Sequence, residues 1–172
     1  MRISSGSSSM AEIVNPFAPV YDAHSKVLIL GTMPSPKSRE NGFYYGHPQN
    51  RFWRVMASLF GEPLPENNEQ KRQMVLRHGI ALYDVLEACE IQGAADASIR
   101  APIPSDLAPI LQAAEIQAIF ATGQKAAALY RKHSQAKTQR PIFCLPSPSP
   151  ANCAVSLERL ICAYAAILDY LR

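Results

Sequence analysis

Residues 27–35 read VLILGTMPS, four apolar side chains followed at once by a turn-forming segment. The same pattern returns in AIFATGQK, residues 118–125, and in IFCLPSPSPAN, residues 142–152. A short continuous apolar run is typical of a parallel strand that is buried on both faces by helices. We therefore predict an α/β fold with three layers, in which a central, mostly parallel sheet is flanked by helices on both faces.

Helices are predicted between and after these strands. The clearest is residues 155–171, where apolar side chains recur at spacings of three, four and seven and so form one stripe. The other predicted helices cover residues 48–60, 66–78, 105–114 and 124–132. Residues 80–85 are compatible with a further strand, although their period is ambiguous, and the proline-rich residues 101–104 are predicted to form a loop.

Length and composition suit one domain, because the chain has 172 residues of which 48% are hydrophobic. Residues 1–12 begin with a serine-rich stretch and are predicted to be a disordered tail, and residues 13–172 are predicted to form the domain. No apolar run approaches the ~18 residues of a membrane helix, and no signal peptide is recognisable, so we expect a cytoplasmic protein without a membrane partner. The formal charge of +3 permits a nucleic-acid partner without demanding one.

The cysteines and histidines give no metal pattern. Cys89, Cys144, Cys153 and Cys162 contain no C-x-x-C pair and no obvious disulfide framework, so we expect buried, reduced thiols. The four histidines are scattered, and neither a phosphate-binding G-x-x-x-x-G-K-[ST] loop nor a G-x-S-x-G nucleophile motif occurs. We therefore predict neither a metal nor a cofactor.

The segments that follow the three apolar runs are the first candidates for function, because open parallel sheets bind ligands beyond the carboxyl ends of their strands. These candidates are Gly31, Thr32, Met33, Pro34 and Ser35; Thr122, Gly123, Gln124 and Lys125; and Pro146, Ser147, Pro148, Ser149, Pro150, Ala151 and Asn152. The second segment opens a helix whose free N–H groups favour an anion, although a solvated cap fits equally well. The third is rigid and can contact a phosphate backbone or simply connect a strand to a helix.

Aromatic residues concentrate in GFYYGHPQNRFW, residues 42–53. Pro48 suits the first turn of a helix, which would place Asn50 near the positive helix end. Phe52 and Trp53 would then pack into the core.

The aromatic side chains of the glycine-flanked loop before that helix can bind a ligand instead of packing into the core. Tyr45 can stack on a nucleic-acid base, an interaction that contributes about 1–3 kcal/mol, and Phe43 can line the same pocket. His47 can cap the start of the helix or take part in function, and the sequence favours neither alternative.

Three strings of this sequence resemble the ordered motifs of the uracil-DNA glycosylase superfamily. They are LGTMPS at residues 30–35, GFYYGHPQNRFW at residues 42–53 and LPSPSP at residues 145–150. HPQNRFW at residues 47–53 and VSLERL at residues 155–160 also resemble the mismatch-specific uracil/thymine-DNA glycosylases. That group carries an asparagine where this chain has Met33, so GTMPS combined with HPQN more closely resembles the hypoxanthine-DNA glycosylase (DNA-deoxyinosine glycosylase) branch.

The resemblance implies a monofunctional enzyme that flips a deaminated base, hypoxanthine first, out of DNA and hydrolyses its N-glycosidic bond to initiate base-excision repair. It implies Asn50 as the catalytic residue and the three strand-end segments as base pocket and DNA contacts. The pocket would comprise Gly31, Thr32, Met33, Pro34, Ser35, Phe43, Tyr45 and His47, and the DNA contacts would be Gly123, Gln124, Lys125, Ser147, Pro148, Ser149, Pro150, Ala151 and Asn152.

The implied partner is DNA that contains deaminated bases. The resemblance implies a nucleoid-associated protein without a cofactor, and a monomer is the default expectation. Two alternatives stay open. The first is a uracil/thymine mismatch glycosylase, which HPQNRFW favours and Met33 opposes. The second is a non-catalytic nucleic-acid-binding protein with the same fold.

Overall fold

The protein, seen in a computed structural model, is described over residues 11–91 and 99–172. Its strands are β1 (Ala11–Val14), β2 (Val27–Gly31), β3 (Ile80–Asp84), β4 (Leu86–Ile91), β5 (Arg100–Pro104), β6 (Ala118–Thr122) and β7 (Phe143–Leu145). Its helices are α1 (Pro36–Asn41), α2 (Phe52–Phe60), α3 (Asn68–Arg77), α4 (Ala108–Ala113), α5 (Gln124–His133), α6 (Gln135–Thr138) and α7 (Leu157–Tyr164), followed by a 3₁₀ segment, Ala165–Tyr170.

The central sheet has the strand order β3-β2-β6-β7, and all of its strands are parallel. Val27 lies opposite Ile80 on one side and opposite Ala118 on the other, so β2 occupies the interior of the sheet. The three apolar runs are thus confirmed as parallel strands. Residues 80–84, whose period was ambiguous, form the fourth strand.

Alternate residues of these strands supply two separate cores. Ile29 and Phe120 pack on the face covered by α2, α3 and α7, while Leu30 and Ala121 pack on the face covered by α4 and α5. Burial on both faces explains why the interior strands β2 and β6 are apolar at successive positions rather than at every second one. The predicted three-layer arrangement is confirmed.

A second, antiparallel sheet with the order β1-β4-β5 was not predicted. Residues 101–104 belong to its edge strand β5, so the predicted loop there is wrong. Pro102 and Pro104 are tolerated because an edge strand does not need every backbone N–H group in the ladder.

The first strand also moves the start of the domain. Ala11 and Glu12 pair with Ile91 and Glu90 in β4, so the ordered fold begins two residues earlier than predicted. Residues 1–10 of the predicted tail lie outside the described part of the chain.

Two predicted helices depart most from their predicted bounds. Helix α2 starts at Phe52, because Pro48 and Asn50 lie in a turn in which the Asn50 N–H group donates to the His47 carbonyl at 2.9 Å. The helix predicted over residues 155–171 is divided into α7, capped by the Ser156 hydroxyl, and the 3₁₀ segment.

Three of the four cysteines differ from the expectation of burial. Cys89 is buried, whereas Cys144, Cys153 and Cys162 are exposed.

Among the described residues, no helix is both long and apolar enough to cross a membrane.

Candidate active site

A cleft of about 990 Å³ opens at the carboxyl ends of the parallel strands. It brings together most of the predicted site residues: Gly31, Thr32, Met33, Pro34, Ser35, Tyr45, His47, Asn50, Gly123, Gln124, Ser147, Pro148, Ser149, Pro150, Ala151 and Asn152. Thr122 and Pro146, which belong to the predicted strand-end segments, also line the cleft. Lining residues that sequence reasoning had not assigned to the cleft are Pro36, Ser38, Arg39, Tyr44, Asp84, Cys144 and Leu145.

Phe43 and Lys125, both within the described part of the chain, do not line the cleft. The Phe43 ring packs against Tyr44 and Trp53, with ring centroids 5.6 Å and 6.0 Å apart. The aromatic core therefore holds Phe43 away from the cavity. Phe52 and Trp53 are buried, which confirms the prediction that they anchor the core.

Asn50 lies half-buried in the cleft wall, two residues before α2. Its Oδ1 atom accepts a hydrogen bond of 2.9 Å from the Phe52 N–H group. This bond fixes the side chain at the positive end of the helix and leaves its Nδ2 group and one Oδ1 lone pair for a ligand.

Tyr45 has a left-handed backbone, with a φ of 54°, which is uncommon for a residue other than glycine. Two contacts hold it in this conformation: its ring stacks on Phe52 with centroids 4.0 Å apart, and its hydroxyl lies 3.1 Å from Thr122 Oγ1. Burial and the nearby Asp84 raise the pKa of Tyr45 above its ordinary value, so the hydroxyl stays neutral. Strain of this kind, of about 1–3 kcal/mol, is found often at functional sites.

The loop that carries Tyr45 is fastened to the first strand-end segment. The Ser35 hydroxyl accepts from the Ser38 N–H group at 3.1 Å, and the Ser38 hydroxyl accepts from the Gly46 N–H group at 3.0 Å. A Cβ atom on Gly46 would lie 2.9 Å from the Phe43 carbonyl oxygen, so the loop closes only around a glycine. These contacts make the two segments one wall of the cleft.

His47 also lines the cleft, and its ring has a defined neutral tautomer. The Gln49 N–H group donates to His47 Nδ1 at 3.0 Å, so Nδ1 is an acceptor and Nε2 carries the proton of the neutral ring. The residue therefore closes its own turn and faces the cleft as well. Its functional role stays a prediction.

Asp84, at the carboxyl end of β3, is the main cleft residue that sequence reasoning missed. Its side chain is buried, and one carboxyl oxygen, Oδ2, accepts a 2.8 Å hydrogen bond from Asn15 Nδ2. Loss of hydration raises the pKa of Asp84 from 3.8 to about 7. The only sequence feature that could have indicated Asp84 was a carboxylate at the end of an apolar strand.

The bottom of the cleft is formed where Asp84, Tyr45 and Thr122 converge on Gly31, and we call these four residues the floor. A Cβ atom on Gly31 would lie 2.7 Å from Asp84 Oδ1, 3.2 Å from the Tyr45 hydroxyl and 3.6 Å from Thr122 Oγ1. The floor thus exists in this form because β2 ends in a residue without a side chain.

The opposite side of the cleft is the rim, which we define as the Pro-Ser loop, residues 146–152. The Arg51 guanidinium donates to the carbonyls of Ser149, Asn152 and Val155, and the Arg51 N–H group donates to the Pro148 carbonyl at 3.1 Å. The donors of Arg51 therefore hold protein carbonyls and are not directed at a DNA phosphate.

The rim is also bonded within itself and packed closely on α5. Asn152 Nδ2 donates to the Ser147 carbonyl at 3.0 Å, and the Ser147 hydroxyl accepts from the Ser149 N–H group at 3.2 Å. A Cβ atom on Gly123, where φ is 113°, would lie 3.3 Å from Ser147 Cβ. The rim is therefore a stiff projection beside the start of α5 rather than a loose connection.

The fold and the cleft together define a three-layer α/β protein whose cleft opens at the carboxyl ends of parallel strands, where open parallel sheets bind their ligands. The family model described as the uracil DNA glycosylase superfamily matches residues 18–170. The chain belongs to this superfamily, which confirms the relationship that its motifs indicated.

Two curated relatives are both named hypoxanthine DNA glycosylase. One, from Methanosarcina barkeri, is 42% identical over 85 residues, which cover 49% of this chain and 54% of the relative. The other, from Methanosarcina acetivorans, is 38% identical over 84 residues, which cover 48% of this chain and 53% of the relative. The chain thus matches about half the length of these curated relatives.

A solved structure extends the likeness over nearly the whole fold. The solution NMR structure of a "putative Uracil DNA glycosylase" from Methanosarcina acetivorans superposes with a TM-score of 0.75 and 27% sequence identity. The superposition covers 90% of this chain and 98% of that one.

Proposed function

We propose that this chain is a monofunctional DNA glycosylase that removes a deaminated base, hypoxanthine first, from DNA and so starts base-excision repair. The observation that carries the proposal is a single cleft that joins Asn50, the Tyr45 ring and the rim. The names of the two curated relatives support hypoxanthine as the substrate. The cleft is formed by residues of one chain, and we propose that the enzyme acts as a monomer.

The shape of the cleft suits a flipped nucleotide. A base within a stacked duplex hides its glycosidic bond, so the enzyme must extrude it at a cost of a few kcal/mol, which is lower for a mispaired base. The volume of about 990 Å³ lies at the upper end of the range for small-molecule sites, roughly 300–1,000 Å³. Tyr45 is positioned to stack on the extruded base, and the rim is positioned to enter the duplex and meet its phosphates.

Asn50 supplies the proposed catalytic group. Because its Oδ1 atom keeps one lone pair beside the bond to Phe52, it can orient a water toward C1′ of the sugar, while Nδ2 can donate to the base. Hydrolysis by water requires no covalent intermediate on the protein. The products are then a free base and an intact strand with an abasic site.

Oligonucleotide duplexes that carry inosine, uracil, xanthine or a G·T mismatch, treated with alkali after incubation, test the substrate directly. We expect release from inosine first. Preferred release of uracil or mismatched thymine would favour the mismatch glycosylase, and failure on every duplex with retained binding would favour a non-catalytic DNA-binding protein.

The Asn50→Ala variant tests the catalytic residue. Base release in single turnover should fall by about a hundredfold or more, while the affinity for inosine-containing DNA stays near that of the parent. Gln73→Ala, an exposed amide on α3 whose side chain, among the described residues, bonds only Glu69 of the same helix, is the matched control and should keep full release. Undiminished release by Asn50→Ala would remove this residue from the mechanism.

A further inference from the structure

The turn that carries Asn50 into the cleft begins at His47, whose ring has no task in the proposed mechanism. Both residues line the cleft and are partly buried. Within the described part of the chain, the ring has one hydrogen-bond partner, the Gln49 N–H group, which donates to Nδ1 at 3.0 Å. The His47 carbonyl accepts from the Asn50 N–H group at 2.9 Å. His47 therefore supplies both acceptors for the first half of the turn.

The second half of the turn is held by other bonds. The Arg51 N–H group donates to the Pro148 carbonyl at 3.1 Å, and the Phe52 N–H group donates to Asn50 Oδ1 at 2.9 Å. Asn50 is thus held by the start of α2 on one side and by His47 on the other. Of the acceptors in these bonds, which are carbonyls, an amide and an imidazole, only an imidazole can gain a proton between about pH 5 and pH 8.

Only the neutral ring can hold the Gln49 N–H group. In this form Nδ1 is the acceptor and Nε2 carries the proton. A proton taken from solvent binds at Nδ1 and makes it a second donor, so that two N–H groups face each other. The bond is then lost, and the turn keeps only the bond between the His47 carbonyl and the Asn50 N–H group in its first half.

Other titratable groups face the cleft together with His47, and they come from several elements. They are Arg39 of α1, Tyr44 and Tyr45 of the same loop, Asp84 of β3 and Cys144 of β7. Within residues 11–91 and 99–172, none of these side chains forms a hydrogen bond or an ion pair with the ring. The contact that protonation of His47 breaks is therefore the one to Gln49.

We propose that His47 is a positioning residue, whose neutral ring holds the turn that presents the Asn50 side chain to the extruded nucleotide. This inference rests on the proposed function and adds to it the group that orients the catalytic amide. A misplacement of about 1 Å can slow a reaction by about a hundredfold. Loss of one hydrogen bond among several around Asn50 should cost about tenfold. Base release should therefore fall as the pH falls and the ring gains its proton.

Single-turnover release from an inosine duplex, measured between pH 5 and pH 8, tests the proposal. His47→Asn keeps an acceptor for Gln49 that cannot be protonated, because asparagine Oδ1 is as many bonds from the backbone as histidine Nδ1. The ratio of its rate to the parent rate should increase about tenfold from pH 8 to pH 5. Titration of Asp84 cancels in this ratio, since both proteins contain it.

The control for the loss of an imidazole is His24→Asn, an exposed histidine outside the cleft, which should follow the parent at every pH. A ratio of the His47→Asn rate to the parent rate that does not change with pH would overturn the proposal.

His47→Gln distinguishes positioning from a direct contact with the substrate. Its amide lies one bond further from the backbone, at the place of Nε2, and so cannot replace the acceptor for Gln49. Base release at pH 8 should be about tenfold slower than that of His47→Asn. If the glutamine variant were instead the faster of the two, His47 would act on the substrate through Nε2, and the positioning role would be refuted.

An NMR titration of the isotope-labelled chain separates this proposal from the proposed function. In the parent, the Gln49 N–H signal and the Asn50 side-chain amide signals should shift in one step between pH 8 and pH 5. In His47→Asn this step should be absent. This result without release from any duplex would refute the glycosylase and leave the coupling of His47 to Asn50 intact. Asn50 signals that do not follow the titration of His47 in the parent would refute the coupling itself.

Discussion

The floor and the rim meet in one cleft, yet they are built in opposite ways. The floor combines Gly31, Asp84 and Thr122 at the ends of β2, β3 and β6 with Tyr45 from the loop before α2, and its carboxyl group is buried and has a raised pKa. The rim is a partly exposed loop of alternating proline and serine, held from below by the Arg51 guanidinium.

From this difference we propose different tasks for the two regions. A buried acid beside a glycine is sensitive to the identity and charge of a bound base, because low hydration strengthens its electrostatic interactions. A stiff, partly exposed loop is suited to enter a duplex and contact its phosphates, which carry no sequence information. Changes in the floor should therefore affect chemistry and pH dependence, and changes in the rim should affect engagement with DNA.

The largest expected effect concerns the floor and the stability of the fold. The pKa of Asp84 is about 7 in the folded protein against an ordinary 3.8, so between these values the folded state binds more protons than the unfolded one. Stability is therefore lost as the pH rises through this window. The free energy of unfolding of Asp84→Asn, relative to that of the parent, should therefore increase by about 3 kcal/mol from pH 5 to pH 8, as measured by urea unfolding. If the free energies of unfolding of the variant and the parent differed by the same amount at both pH values, Asp84 would not be a buried neutral acid.

A smaller but more specific effect is expected from Gly31→Ala. The new Cβ atom would meet Asp84 Oδ1 at 2.7 Å and the Tyr45 hydroxyl at 3.2 Å, so the floor must shift. Base release should fall by about a hundredfold, while the affinity for undamaged duplex changes little. Gly61→Ala is the control, because its Cβ atom would meet nothing within 4 Å. Its φ of 64° is unfavourable for alanine, so this variant measures backbone strain away from the floor. A drop in DNA affinity as large as the drop in release would show that the floor and rim are not separate.

The smallest effect is expected at the rim. Arg51→Ala removes the donors that hold the loop, and release from duplex DNA should fall about tenfold. The dependence of binding on salt should not change, because the guanidinium holds carbonyls and not phosphates. Arg72→Ala, an exposed arginine on α3, controls for the loss of charge. If the slope of the logarithm of the binding constant against the logarithm of the salt concentration fell in magnitude by about one, Arg51 would instead be a phosphate contact.

Local patterns were enough to predict the central sheet and the position of the cleft. The continuous apolar runs identified three parallel strands, and the rule that ligands bind beyond their carboxyl ends led to residues 31–35, 123–125 and 147–152. Strand β5 was missed because Pro102 and Pro104 are ordinary loop signals, and they become compatible with a strand only at a sheet edge.

The amino-acid sequence sufficed for the fold class, the superfamily and Asn50 as the candidate catalytic residue, because apolar runs and contiguous motifs are local properties of the chain. Only the tertiary structure assigned Asp84 to the floor and Arg51 to the rim. Asp84 is bonded to Asn15, 69 residues earlier, and Arg51 holds carbonyls 98 to 104 residues further on. Burial and hydrogen bonding between such distant segments arise when the strands assemble, and no local pattern of residues encodes them.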